Sequence, residues 1–546
     1  MSSPYADILR NAIEKRVFVK AKNPGDIVSL DGTHSLPWIF DFRAAMCDSE
    51  HLNAFAELFW ERSENEYPFQ VCGMETAGIA LVAAICMKGH ERNKPVNGLY
   101  VRKSRKKYGL MKAFEGTPTK DPVIFVDDLI NTGQSVQKVL AVLHDEGLTL
   151  RSVFTILGVR SLDEYAFLDK AGITYSMLFL SEEFGVPLVK SQTPIRYDEF
   201  DVLWTFKSGS PSYQHVVPKS APALDASHVY FGSDDGILHA LDQKTGAELW
   251  KYRIGMFPFG KGIFSTPAVA NKTVYFGAYD GNMYALASDT GKRRWVYRDA
   301  DWIGSSPAVA PDLGLLYIGL EFGLFNKRGG IAALSLDTGE EKWAMRSMNG
   351  LTHCSPLYMK EERAVVIGSN DGSVYCFDAH SGNEQWTYKT NGSVKSSFAY
   401  DAKRRLVIFG SFDGNVYALR AKDGKPVWHF DIGEAIFSTP CLLGDYAYMP
   451  SLNKYLFALS LDSGEEKWRF QMRGRIFSSP VIADNSLWIG SNDGRLCELD
   501  PATGTVRSFF QTSERIVNAV AYNAASKTFF VPTQANELYS IKRKNS

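Results

Sequence analysis

The chain has no two adjacent cysteines and no cysteine–histidine grouping at metal-ligand spacing. Its seven cysteines are scattered, which excludes a disulfide framework and a zinc site and reads as reduced, partly buried thiols. It also lacks a long apolar run. The longest, residues 77–87, is far too short to cross a bilayer. Residues 1–24 alternate charged and apolar positions and have no signal-peptide core, so the expected location is cytoplasmic. Charge of one sign is missing as well. Sixty Lys and Arg stand against 61 Asp and Glu, a net of −1, so no global field points to nucleic acid or a membrane. What remains is an ordinary globular composition, 45% apolar and 22% charged, over 546 residues, a length that suits two to four domains.

The chain changes character near residue 200. Before it, short apolar runs at 69–72, 99–101, 123–126 and 153–157 alternate with helical patterns such as 49–62 and 136–143. That alternation predicts an α/β domain over residues 1–190, a mainly parallel sheet with helices on both faces. Residues 191–200 read as a linker. From 201 to 546 the sequence repeats itself. The unit 229–250 recurs at 274–295, 316–343, 366–386, 407–428, 446–468 and 487–507. Each copy carries a turn glycine followed by a Gly-x-x-x-Trp segment, except the last, which has Arg507 where tryptophan is expected. Successive tryptophans lie 40 to 48 residues apart, the period of an all-β propeller.

The blade number follows from two fragments. Residues 529–541 begin an eighth unit that stops before its tryptophan, and Trp204 is an orphan with no unit before it. Together they complete an eighth blade and close the ring, which removes exposed strand edges. The repeats resemble the quinoprotein-like (PQQ-like) propellers, whose docking tryptophans pack between blades. The quinone-dependent members of that family stack their cofactor on a vicinal disulfide; none is possible here, so no PQQ is expected. Ser-Thr-Pro or Ser-Ser-Pro motifs mark the innermost strands. The residues before them, Lys219, Phe264, His353, Lys395, Phe437 and Phe477, should approach the central channel, where a small ligand or a protein partner could be recognised.

Chemistry concentrates in the first half. Residues 123–135 form an apolar strand ending in Asp127 and Asp128, then a turn, then a helix starting near Ser135. Ligands bind beyond the carboxyl ends of such strands. The turn and helix N-terminus make an anion cradle from Asn131, Thr132, Gly133, Gln134 and Ser135. Two acceptor-only carboxylates suit a ribose diol. This segment resembles the signature of type I phosphoribosyltransferases. Arg102, Lys103, Lys106 and Gly109 resemble the mobile catalytic loop of the orotate branch. Glu75, Thr76 and Ala77 fall in a segment similar to the pyrophosphate loop, residues 29–43 resemble the hairpin over the base pocket, and Arg160 matches an arginine that faces the base.

The resemblance implies transfer of a 5-phosphoribosyl group from phosphoribosyl pyrophosphate to a nitrogenous base, orotate or a related one. It implies Mg2+ held at Asp127 and Asp128 mostly through water and substrate, catalytic roles for Arg102, Lys103, Lys106, Asp127 and Asp128, and a homodimer. Three positions depart from the orotate pattern: Tyr108 replaces the loop histidine, Ala77 a lysine, and Leu30 or Asp31 the hairpin lysine that would meet the orotate carboxylate. An alternative is therefore a nucleotide or phosphoribosyl-pyrophosphate sensor with the propeller as an interaction scaffold, in stress response or defence. No membrane or nucleic-acid partner is expected.

Overall fold

The computed structural model describes residues 3–23, 26–27, 36–43, 45–102, 114–190, 199–209, 211, 220–255, 262–323 and 327–544. The chain divides into two compact units, with the boundary between Asp198 and Glu199.

The first unit runs α1 (Pro4–Ala12), β1 (Phe18–Lys20), β2 (Trp38–Phe40), α2 (Ser49–Ser63), β3 (Gln70–Met74), α3 (Ala77–Glu91), β4 (Gly98–Val101), β5 (Phe114–Glu115), β6 (Val123–Ile130), α4 (Gln134–Asp145), β7 (Leu150–Gly158), α5 (Ala166–Lys170) and β8 (Thr174–Leu180). Six strands form one sheet in the order β5-β4-β3-β6-β7-β8, parallel throughout except for β5. Alternation along the central strand divides the core. Ile124 and Val126 meet Phe55 and Phe59 of α2 and Leu81 and Ile85 of α3, whereas Val123 and Phe125 meet Val136, Val139 and Leu143 of α4 with Phe167 of α5. Burial on both faces explains why β3 and β6 are nearly continuous apolar runs. The strand β6 extends four residues past the apolar run. Its pairing with β7 carries on through Asp127↔Thr155, Leu129↔Leu157 and Ile130↔Gly158, so both carboxylates lie inside the strand and not beyond its end. β1 and β2 pair as a separate antiparallel ribbon.

The second unit is an eight-bladed propeller of four-stranded antiparallel sheets. Seven blades use four consecutive strands. The eighth joins Ala521–Asn523, Thr528–Pro532 and Glu537–Arg543 to Phe200–Lys207, with Trp204 opposite Ser540. Phe200 is thus already propeller strand. In each blade the two middle strands are buried on both faces by the neighbouring blades. The outermost ones, such as Glu248–Arg253, alternate exposed and covered positions.

The tryptophans lock blade to blade. All seven indole Nε1–H groups donate to a backbone carbonyl of the next blade, from Trp386 to Ala421 at 2.8 Å to Trp468 to Pro501 at 3.2 Å. The glycine of the next blade's docking turn lies flat against the ring. A Cβ added to Gly424 would lie 2.6 Å from Trp386, closer than any side chain tolerates, and φ there is +67°. The turn glycine therefore serves the preceding blade's tryptophan and not its own. This explains the missing tryptophan of the seventh repeat, whose place, four residues after the turn glycine Gly504, is held by Ser508 and not, as expected, by Arg507. The eighth blade takes its outer strand from Phe200–Lys207, so no turn joins its last two strands and there is nothing for a tryptophan of blade seven to dock on. Ser508 is buried and donates instead to Glu498 Oε2 at 2.6 Å, while the neighbouring Arg507 pairs with Asp500 and Ser486.

Candidate functional site

β3 and β6 lie side by side and send two loops to the same end of the sheet. The loop after β3 is pinched by two glycines. A Cβ on Gly73 would lie 2.7 Å from the Gly78 carbonyl oxygen, and one on Gly78 would lie 2.8 Å from the Gly73 Cα. Only a glycine pair lets Glu75, Thr76 and Ala77 turn this sharply into α3. The Glu75–Thr76 peptide is cis, and the Glu75 N–H donates to Val101 O at 3.1 Å, which ties the loop to β4.

Asp127 is buried and Asp128 is half-buried. The Asp128 N–H donates to Asp127 Oδ1 at 3.1 Å. Burial pushes the Asp128 carboxyl above its ordinary value, opposed by a side-chain hydrogen bond with Asp127, and the negative charge of Asp41 adds to the rise. Asp41 follows β2 and is itself held low by Arg43, whose Nε and Nη2 donate to it at 2.7 Å each. The end of the ribbon thus faces the carboxylate pair. A carboxyl held up by burial and like charge is relieved by hydroxyl donors or a cation, so the pair fits both a diol and a divalent ion. Among the described residues no group of three or more His, Cys, Asp or Glu could hold a metal. A metal at Asp127 and Asp128 would need further ligands from substrate and water.

Gly133 caps α4 with φ +73°, and a Cβ there would lie 2.7 Å from the Phe167 ring. Left-handed backbone and lack of room both demand glycine. The helix opens at Gln134, one residue before the expected Ser135. Its first backbone N–H groups have no intrahelical acceptor and, with the N-terminal end of the helix dipole, favour an anion. Thr132, Gln134 and Ser135 are partly exposed around that end, and Asn131 is exposed.

Two arginines are held differently from the sequence expectation. Arg160 lies past β7, which ends at Gly158, and bridges to Val189. Its Nε donates to Asn131 Oδ1 at 2.8 Å, and its Nη1 lies 3.4 Å from Glu164. It braces the loop after β6. Arg102 pairs with Glu75 at 3.2 Å and with Glu115 at 2.8 Å, which joins the loop after β3 to the root of the basic segment. Composition gave no sign of the Glu75–Arg102–Glu115 triad, although both glutamates flank the basic segment. Lys103, Lys106, Tyr108 and Gly109, the hairpin positions Leu30 and Asp31, and Lys219 of the propeller lie outside the described residues.

In the propeller, Phe264, His353, Lys395, Phe437 and Phe477 come together around a cavity of about 280 Å3 on the central axis. The cysteines are unpaired; burial pushes the thiols of Cys72, Cys354, Cys376 and Cys497 up to about 12. Among the described residues no helix is long and apolar enough to cross a membrane.

The chain is similar to known proteins in two separate stretches. Over 184 residues it is 27% identical to orotate phosphoribosyltransferase of Rhodopseudomonas palustris strain BisB5, covering 33% of this chain and 93% of that protein. It is 29% identical over 154 residues to orotate phosphoribosyltransferase of Aeropyrum pernix, covering 28% of this chain and 78% of that protein. Family models match further along: "Outer membrane protein assembly factor BamB" over residues 192–345 and "Beta-alanine-activating enzyme, beta-propeller" over 326–546. Among solved structures, BamB from Moraxella catarrhalis superposes with a TM-score of 0.51 at 17% identity, covering 64% of this chain and 98% of that one. The quinohemoprotein alcohol dehydrogenase of Comamonas testosteroni gives 0.55 at 15%, covering 63% and 76%. At these identities the structural likeness shows the fold alone. The N-terminal region is homologous to the orotate phosphoribosyltransferases, and the C-terminal region is a PQQ-like, BamB-type β-propeller of eight blades.

Proposed function

We propose that the first unit is a phosphoribosyltransferase that joins the 5-phosphoribosyl group of phosphoribosyl pyrophosphate to a nitrogenous base, orotate or a relative of it. The observation that carries this reading is the juxtaposition of three parts at one sheet end: the pinched loop after β3, the carboxylate pair in β6, and the glycine-capped start of α4.

Each part has one task. The 5-phosphate sits against Asn131, Thr132, Gly133, Gln134 and Ser135 at the N-terminus of α4. The two ribose hydroxyls donate to Asp127 and Asp128. The backbone of Glu75, Thr76 and Ala77, with Arg102, Lys103 and Lys106, takes the pyrophosphate. A base nitrogen attacks C1 of the ribose as the bond to the pyrophosphate oxygen breaks. The nitrogen gives up its proton, and the products are a nucleoside monophosphate and pyrophosphate. A bound Mg2+ would neutralise charge on the departing pyrophosphate. Arg102 reaches that anion only by leaving Glu75 and Glu115. A homodimer in which the basic segment serves a neighbouring site is part of the proposal, with the propeller as the recognition module.

Mass spectrometry of the products formed from phosphoribosyl pyrophosphate, Mg2+ and a mixed panel of bases tests the reading. A nucleoside monophosphate and stoichiometric pyrophosphate are expected. Absence of any product across the panel would overturn it. The pairing of Arg102 with two glutamates favours a second reading, a sensor that binds phosphoribosyl pyrophosphate without turnover. Tight binding with no product, and a ligand-dependent change in hydrogen exchange of the propeller, would select it.

A further inference from the structure

Seven of the eight blades contribute to the axial cavity. Its floor is a belt of hydroxyls, Thr266, Ser306, Ser355, Ser397, Thr439 and Ser479, each from a successive blade. Five of these oxygens are already used as acceptors by the blade before: Ala221 N–H donates to Thr266 Oγ1 at 3.0 Å, Thr266 to Ser306 at 2.9 Å, Ser306 to Ser355 at 2.8 Å, Ser355 to Ser397 at 3.0 Å and Thr439 to Ser479 at 3.0 Å. No acceptor for their own hydrogens is found among the described residues. A hydroxyl that accepts from behind presents its proton forward, so the floor offers donors.

The wall one turn away is uneven in charge. Glu321 is fully buried and partly answered: Gly304 N–H donates to its Oε1 at 3.1 Å, and His353 Nδ1 lies 3.0 Å from its Oε2. Lys395 has no carboxylate in contact with it: among the described residues none lies within salt-bridge distance of its ammonium, which rests over Phe412 at 4.7 Å and Phe437 at 5.7 Å. Burial holds this lysine below its ordinary value, and the more distant charge of Glu321 opposes that fall. A half-buried cation with no carboxylate in contact, facing a belt of donors, leaves a place for an anion beside it. The rest of the wall is aromatic. Phe437 and Phe477 lie 5.5 Å apart on one side, and Phe264 meets Tyr279 edge-on at 4.7 Å on another. The volume, about 280 Å3, sits at the lower edge of ordinary ligand pockets, room for one ring and one small charged group.

We propose that this cavity binds a small planar aromatic molecule carrying one anionic group, with the anion on the hydroxyl belt and Lys395 and the ring against Phe437 and Phe477. The proposal stands apart from the phosphoribosyltransferase reading, since none of these residues belongs to the first unit.

Benzoate and phenyl phosphate represent the carboxylate and phosphate forms; phenol and inorganic phosphate are their halves. Titration of the full-length protein, followed by saturation-transfer NMR, should show one or both aromatic anions binding at least about tenfold more tightly than either half. The stronger of the two names the anion. Lys395→Met should weaken that binding by about tenfold or more with an unchanged melting temperature, and Phe437→Leu should weaken it with Lys395 intact. The double variant Asp127→Asn, Asp128→Asn should bind as the parent does. Failure of both aromatic anions to bind, equal binding of phenol, full binding by Lys395→Met, or loss of binding in the Asp127/Asp128 variant would each overturn the proposal. None of these results bears on whether the first unit turns over phosphoribosyl pyrophosphate.

Discussion

Both halves depend on glycines that admit no side chain, but they spend that closeness differently. In the α/β unit Gly73, Gly78 and Gly133 shape tight loops beside two carboxylates, one of them pushed up by burial and by like charge. In the propeller, seven turn glycines are covered by the indoles of preceding blades, and each indole N–H has an acceptor. The first arrangement gathers polar groups at one end of the sheet. The second satisfies its own groups and serves packing alone. Stability and function should therefore separate between the halves: substitutions at the loops should alter turnover, and substitutions at the blade junctions should alter folding.

The largest effect is expected at the carboxylates. Asp127→Asn with Asp128→Asn should lower turnover of phosphoribosyl pyrophosphate by about a thousandfold, roughly 4 kcal/mol of transition-state stabilisation, measured as pyrophosphate release. The single variant Asp128→Asn sharpens the comparison, because it should lose activity while gaining stability. A carboxyl raised in the folded state is protonated in both states below the ordinary value near about 3.9, and there it carries no penalty. The penalty grows as pH rises through the raised value and is complete above it. The Tm of Asp128→Asn should thus exceed that of the parent at neutral pH, and the gain should vanish on acidification. An unchanged Tm across the range would mean that the site stores no such cost.

The opposite signature is expected at a blade junction. Trp386→Ala removes a buried ring and leaves Ala421 O without its donor and Gly424 without its cover. A loss of about 3–5 kcal/mol is expected in denaturant unfolding of the propeller. Gly424→Ala attacks the same contact from the other side, and a loss of about 1–3 kcal/mol is expected, from overpacking and left-handed backbone. The Michaelis constant of the first unit for phosphoribosyl pyrophosphate should stay as it is in both. A change in it would break the separation.

The same contrast governs what the sequence could disclose. Blade number and the closing role of Trp204 were readable because a repeat states each contact many times. The carboxylate pair and the glycine-capped helix were readable because strand, acids, turn glycine and helix follow one another without interruption. The true extent of β6 was not, since Asp127 and Asp128 end the apolar run while main-chain pairing with β7 continues to Ile130. A partner strand decides that, and side-chain pattern does not record it. Arg160 was expected to end a strand, but it lies past β7, and its bond to Asn131 depends on two loops meeting across strands. In the propeller the Ser-Thr-Pro motifs pointed to the axis. The relay of five hydroxyls to the preceding blades' N–H groups, and the place of Lys395 over Phe412 and Phe437, arise only once neighbouring blades are brought together.

A smaller effect is expected where the two loops of the first unit are tied by charge. Glu75→Gln weakens one of two ion pairs that hold Arg102, each partly exposed and so worth about 1 kcal/mol or less. If Arg102 must leave these glutamates to reach the pyrophosphate, the variant should bind it a few-fold more tightly, and raised salt should narrow the difference. Weaker binding would mean that Glu75 itself supports the anion loop.

The last effect is expected at Ser508, and it tests why one blade departs from the repeat. If its tryptophan had merely been lost, Ser508→Trp would restore a docking contact and stabilise the propeller by an amount comparable to what Trp386→Ala removes. The eighth blade offers no docking turn, because its outer strand is supplied by Phe200–Lys207. The indole would have no glycine to lie on and no aligned carbonyl, while the bond from buried Ser508 to Glu498 would be lost. A loss of about 1–3 kcal/mol from overpacking is therefore expected in the unfolding free energy, and no gain. A gain of several kcal/mol would show that the ring closes by a junction like the other seven, and that the contrast between repeated and unrepeated contacts does not extend to its seam.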